Sequence, residues 1–212
     1  MVEKTGNHSA SSEGAEGALA SDPTKSIADP APLGLAAFAL TTFVLSVFNA
    51  GLLPEGLKPV VLPLALFYGG LAQLLAGMWE FRKANTFGAL AFTSYGAFWL
   101  AFAAYAKFVQ DSLPDADTAT ALFLFVFGVF TAYMTVAALR VNVATLLVFV
   151  FLTLTFLVLA GGEAAGATGV AHIGGYLGLV TAVLAWYASF AGVTNFTWKR
   201  TVIPVGPLAP TE

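Results

Sequence analysis

The chain has 212 residues, of which 58% are hydrophobic and 10% charged, with nine basic and twelve acidic side chains and a formal net charge of −3. A soluble domain of this size carries about 25% charge to cover its surface, so a water-soluble globule is excluded. The negative balance argues against a nucleic-acid partner; with no cysteine and only two histidines on separate segments, no disulfide, metal site or other cofactor is expected.

Residues 1–27 are rich in Ser, Gly, Ala and Glu and contain no apolar run, which predicts a disordered N-terminal tail. No charged segment leads into a short apolar core there, so no cleaved signal peptide is expected. Residues 28–200 form the predicted transmembrane domain and 201–212 a C-terminal tail. Six apolar stretches near 33–53, 58–79, 87–108, 119–139, 143–161 and 167–192 each approach the roughly 20 residues that cross about 30 Å of hydrocarbon as helix. The expected class is an all-α integral membrane protein.

In chain order, Asp29 is the expected N-cap of span one, with Pro30 at the first helical position. Phe38, Thr42, Ser46 and Asn49 follow on one helical face. Span two carries the amide of Gln73 and the small residues Gly69, Ala72 and Ala76, whose spacing fits close helix packing or a subunit interface. Asn85 is the expected cap of span three, which holds Thr93, Ser94 and Tyr95 side by side. Successive helical residues lie about 100° apart, so the three cannot all point inward, and Tyr95 is the expected inward one. Asn142 caps span five, where Thr145, Phe149, Leu152 and Thr155 share a face. Span six has Gly174 and Gly178 for packing and His172 near its outer end. No Asp, Glu, Lys or Arg is expected inside a span, which disfavours a proton relay through buried charges.

Lys4, Lys25, Arg82, Lys83, Arg140, Lys199 and Arg200 fall on one side of the spans, and only Lys58 and Lys107 on the other. The excess of basic residues places both termini in the cytoplasm of a cell (plasma) membrane protein. A shift of 57 residues superposes Lys83 on Arg140, Asn85 on Asn142, and Phe38 on Tyr95 and then Leu152. The period predicts three helix hairpins of like direction around a central pathway, with Phe38, Tyr95 and Leu152 forming a ring at one depth.

Asp29-Pro-Ala-Pro-Leu-Gly-Leu35 resembles the Asn-Pro-Ala-Pro-Leu-Gly-Leu signature of the acetate uptake transporters, or succinate-acetate permeases. Phe67-Tyr-Gly-Gly-Leu-Ala-Gln73, Glu80, Asn85-Thr-Phe-Gly88, Phe92-Thr-Ser-Tyr-Gly96 and Phe98-Trp99 resemble the same family in order and spacing, over residues 28–205. The resemblance implies six helices per subunit, a homo-hexamer in the lipid bilayer, and a pathway in each subunit for acetate or a related small carboxylate such as succinate. It also implies that Phe38, Tyr95 and Leu152 narrow that pathway. The signature residues Asp29, Pro30, Ala31, Pro32, Leu33, Gly34 and Leu35 depart from the family at the first position, where Asp29 either contacts substrate or only caps the helix.

A carboxylate crossing such a ring needs donors, and the expected lining residues are Thr42, Asn49, Gln73, Thr93, Ser94 and Thr155, assisted by the Tyr95 hydroxyl and by helix N-termini converging on the cytoplasmic mouth. Proton coupling, or passage of the protonated acid, is the expected mode. Two other readings compete. An uncharged, hydroxyl-lined pathway also suits a neutral solute such as urea. Gly169-Val-Ala-His172-Ile-Gly-Gly-Tyr-Leu-Gly178 resembles the histidine helix of rhomboid intramembrane proteases, yet no Gly-x-Ser-Gly nucleophile string accompanies it, so no enzyme is expected.

Overall fold

The computed structural model describes residues 27–208. The predicted disordered segment falls, except for Ile27, outside those residues, as do the last four of the chain. Among the described residues six helices are long and apolar enough to cross a membrane: α1 (Ala31–Asn49), α2 (Glu55–Arg82), α3 (Thr86–Ser112), α4 (Ala116–Ala138), α5 (Val143–Ala164) and α6 (Thr168–Thr197). Large apolar side chains such as Phe67, Leu122, Val136 and Phe190 are exposed on the outer surface, where water would penalise them and acyl chains would not.

Helix starts follow their caps. Asn85 Oδ1 accepts from the Gly88 N–H at 3.2 Å, Asp115 Oδ1 from Thr118 N–H at 3.0 Å and Asn142 Oδ1 from Thr145 N–H at 2.8 Å. Helix α1 begins one residue later than the sequence predicts, at Ala31, and the Asp29 carboxylate takes the Ala31 N–H at 3.2 Å. The same oxygen binds Lys83 Nζ at 3.0 Å, tying the start of α1 to the α2–α3 turn.

Close packing depends on missing side chains. A Cβ on Gly69 would stand 2.6 Å from Thr41 Oγ1, and one on Gly178 would overlap Ser46 Oγ, so α2 and α6 both approach α1 more closely than alanine permits. Gly69 sits in a π-helical turn, Phe67–Ala72, that interrupts α2. Inside, α1, α3 and α5 meet through aromatic rings, with Phe38 on Tyr95 at 5.8 Å, Tyr95 on Phe149 at 6.1 Å and Phe98 on Phe156 at 5.3 Å between centroids. Each such pair contributes about 0.5–1.5 kcal/mol beyond the area it buries.

Six threonine hydroxyls in the spans satisfy themselves on their own helix. Thr41, Thr131, Thr135, Thr153, Thr155 and Thr181 each donate to the carbonyl four residues earlier, at 2.7–3.0 Å, which a helix in hydrocarbon requires of a polar side chain without a partner. The expectation that no charge lies inside a span fails at Glu80. It sits in the last turns of α2 with no exposed surface, and Oε2 accepts from Asn85 Nδ2 at 2.8 Å. Glycine at position 88 leaves room for the carboxylate, since a Cβ there would lie 2.8 Å from its carbon.

Residues 201–208 are docked. Gly206 and Val205 carbonyls accept from the Val143 and Ala144 N–H groups at 2.7 and 3.1 Å, and the Leu208 N–H donates to Val141 at 3.2 Å. Asn195 fixes the approach by accepting from Val202 and Ile203 N–H at 2.7 and 2.9 Å.

Candidate functional site

A cavity of about 400 Å³ opens between the helices at the end that carries Glu55, Lys58 and Glu163. Helix α1 contributes Phe38, Thr42, Ser46 and Asn49, α3 contributes Phe98 and Trp99, and α5 contributes Leu152, Thr155 and Glu163. The stripe on span one and the Leu152 and Thr155 part of the stripe on span five thus face one space, whereas Thr145 and Phe149 do not line it. A second cavity of about 270 Å³ adjoins it, sharing Asn49, Glu55, Lys58, Leu159 and Glu163 and adding Asp117 and His172. His172 packs on the turn after α1, where Gly51 has φ +69° and a Cβ would stand 2.8 Å from Nε2. Among the described residues Lys58 is the one lysine or arginine lining these spaces, and Glu55 holds it at 3.3 Å.

The larger cavity is bounded by Phe38 and Leu152, and the ring of Tyr95 is in contact with Phe38. All three are buried to 5% exposure or less. Phe130 closes the far side of Tyr95, edge to face at 5.4 Å, and Phe149 lies beside it. Three residues drawn from one sequence period therefore meet within one core cluster.

Proton counting separates the hydroxyls that can donate from those that cannot. Thr155 gives its single proton to Phe151 O at 2.8 Å and lies 3.3 Å from Thr181 Oγ1, so it can only accept from the cavity. Tyr95 lies 2.9 Å from Thr131 Oγ1, whose own proton goes to Phe127 O at 2.7 Å; the tyrosine must be the donor of that pair. Its hydroxyl is turned to α4, so the expected donor role at the waist does not fit this geometry. Thr42 Oγ1 and Trp99 Nε1 are buried on cavity-lining residues with no hydrogen-bond partner among the described residues. Trp99 entered the sequence reading only as part of a family string; an indole N–H inside an apolar span, which needs an acceptor, was the signal available.

The remaining sequence candidates lie elsewhere. Thr93 Oγ1 faces α2, where a Cβ on Gly77 would overlap it, and Ser94 is half-buried one residue on. Gln73 is 1% exposed on α2 with Oε1 unpartnered. None of these three lines the cavity. The expected convergence of free helix N-termini is corrected as well. The first N–H groups of α5 are taken by Asn142 and by residues 205 and 206, and the start of α1 carries the Asp29 carboxylate. Asp29 is a cap and an ion-pair partner. Among the described residues no cluster of three metal-ligating side chains occurs.

Among the described residues, six apolar helices around a mixed polar and apolar cavity bounded by Phe38 and Leu152 define a multi-pass membrane protein. The chain belongs to the GPR1/FUN34/yaaH family, whose sequence profile matches residues 13–210. It is 41% identical over 182 residues to the succinate-acetate/proton symporter SatP of Escherichia coli, covering 85% of this chain and 96% of that one. It is 44% identical over 206 residues to acetate permease A of Emericella nidulans, covering 88% and 69%. The solved structure of the bacterial acetate channel SatP superposes with a TM-score of 0.80 at 39% identity, covering 85% of this chain and 99% of that one. These relatives are transporters and channels, and the protein is not an enzyme.

Proposed function

We propose that this protein carries acetate, and other small carboxylates such as succinate, across the cell membrane with a proton, through a pathway whose waist is Phe38, Tyr95 and Leu152. The named relatives support the substrate class. The observation that carries the reading is the vestibule itself: about 400 Å³, bounded by two of those residues with the ring of the third in contact with Phe38. That volume holds a two-carbon acid with several waters, each of which takes about 30 Å³. Both termini lie in the cytoplasm, so the vestibule faces outward, and six copies form a ring with one pathway each.

Energetics favour proton coupling. A carboxylic acid with a pKa of about 4 to 5 costs roughly 3 to 4 kcal/mol to protonate at pH 7, at about 1.4 kcal/mol per pH unit. An anion meeting apolar rings without donors costs several kcal/mol or more. With the Tyr95 proton committed to Thr131, the waist supplies ring faces and no free hydroxyl, which moves the balance toward the neutral acid. In the vestibule the Thr42 and Ser46 hydroxyls are left to meet the carboxyl group, and Lys58 offsets the Glu55 and Glu163 carboxylates that would otherwise repel the anion. His172, on the adjoining cavity, packs the turn after α1 and is given no relay role.

Uptake of labelled acetate, succinate and urea into proteoliposomes, with and without an inward proton gradient, tests the reading. Acetate uptake accelerated by the gradient is expected. Urea flux without acetate flux would establish the neutral-solute channel instead, and no flux of any solute would leave a membrane scaffold.

A further inference from the structure

The three waist residues stand on α1, α3 and α5, and a residue of α4, Thr131, is hydrogen-bonded to one of them, Tyr95. Thr131 has no exposed surface, and Tyr95 is 3% exposed. Because Thr131 donates to Phe127 O, its oxygen offers Tyr95 an acceptor and nothing else. Phe130, the residue before it, holds the tyrosine ring edge-on. Hydrogen bond and ring contacts together hold Tyr95 in one orientation, with its ring against Phe38 and its hydroxyl bonded to Thr131 on α4.

We propose that Thr131 is a positioning residue that sets the size limit of the pathway by fixing Tyr95. The inference rests on Tyr95 forming the waist. Thr131→Val keeps volume and branching but removes the acceptor, leaving a phenolic proton buried without a partner. The ring then leaves its packed position to reach another acceptor, and the waist widens. Thr131→Ser retains both the carbonyl bond and the acceptor. In a Tyr95→Phe background there is no proton to hold, so Thr131→Val changes nothing further.

The experiment measures initial rates of labelled acetate and labelled butyrate uptake into proteoliposomes for the wild type, T131V, T131S, Y95F and Y95F/T131V. Expected is a butyrate-to-acetate rate ratio about tenfold higher in T131V, the factor that follows from losing one buried hydrogen bond. T131S matches the wild type, and Y95F/T131V matches Y95F. The role is overturned by a wild-type ratio in T131V, by T131S behaving as T131V, or by T131V shifting the ratio equally in both backgrounds. If T131V does not fold, Thr131→Ala takes its place: it also removes the acceptor, and it is expected to raise the ratio when Tyr95 is present and to leave it unchanged in the Y95F background. A wild-type protein that moves no acetate overturns the transport reading along with this one, whereas acetate transport with an unmoved ratio overturns only the role of Thr131.

Discussion

Gly175 gives the sharpest test of how α1 and α6 pack. A Cβ there would lie 2.2 Å from Ala50 N, 2.5 Å from Asn49 C and 2.6 Å from Ala50 Cα, against ordinary contacts of 3.4–4 Å. Every one of these atoms is backbone, so no rotamer change relieves the overlap. The helices must separate by about 1 Å, an overpacking cost near the upper part of about 1–3 kcal/mol. Helix propensity returns about 1 kcal/mol for replacing glycine by alanine. Gly175→Ala is therefore expected to destabilise by about 2 kcal/mol net, a fall of about 4–8 °C in the melting temperature of a chain this long. Gly161, exposed on α5 with nothing within 4 Å of its Cβ position, keeps only the propensity gain. Gly161→Ala should melt about 2–4 °C higher. Thermal unfolding of both variants in detergent, followed by circular dichroism, reads the difference. Equal melting temperatures for Gly175→Ala and the wild type would refute the close approach of the two backbones.

Asn85→Ala removes a helix cap and also strands Glu80 Oε2, whereas Asn142→Ala removes a cap alone. Asn85→Ala should therefore be the more damaging by about 1–3 kcal/mol in chemical denaturation, and equal losses would show that Glu80 does not depend on the asparagine. Lys58→Gln is expected to slow acetate uptake about two- to fivefold at low salt and less at high salt; a salt-independent change would rule out an electrostatic effect on the anion. Thr42→Val should raise the half-saturating acetate concentration about two- to tenfold with Thr42→Ser near wild type, and an unchanged value for the valine variant would remove the hydroxyl from the binding site. The Asp115 carboxyl is held below its usual value by the Thr118 backbone N–H and, secondarily, by the Thr118 side chain. A lowered folded pKa means that its contribution is present above the ordinary carboxylate range and disappears as pH falls through the folded value. Melting curves from pH 6 down to pH 3 should converge for wild type and Asp115→Asn, and parallel curves would contradict the cap.

The spans were legible because uncharged apolar runs have few other uses, and Asn85 and Asn142 declared their helix starts through cap chemistry. Asp115, equally a cap, stands among other acids on a loop, where one carboxylate is hard to tell from its solvated neighbours. The stripe of Phe38, Thr42, Ser46 and Asn49 could be read because helical spacing alone puts those residues on one face, and the structure places all four on the vestibule. Partners across helices were beyond reach. Nothing local in span four marks Thr131 as the acceptor for Tyr95, and nothing in span three says that Thr93 turns to Gly77. Glu80 was hidden for a different reason. It falls one residue past the predicted end of span two, and a carboxylate near a basic turn reads as solvated until the fold closes over it.

The start of α5 depends on the far end of the chain. Val143 and Ala144 bond to residues 206 and 205, and Thr145 bonds to the Asn142 side chain, so three backbone donors that a helix normally leaves to water are occupied. Shortening the protein to residue 203 would uncover two of them at the foot of the helix that carries Leu152. A fluorescent reporter joined after residue 212 keeps that seal, so two fusions differing by nine residues should report very different proteins.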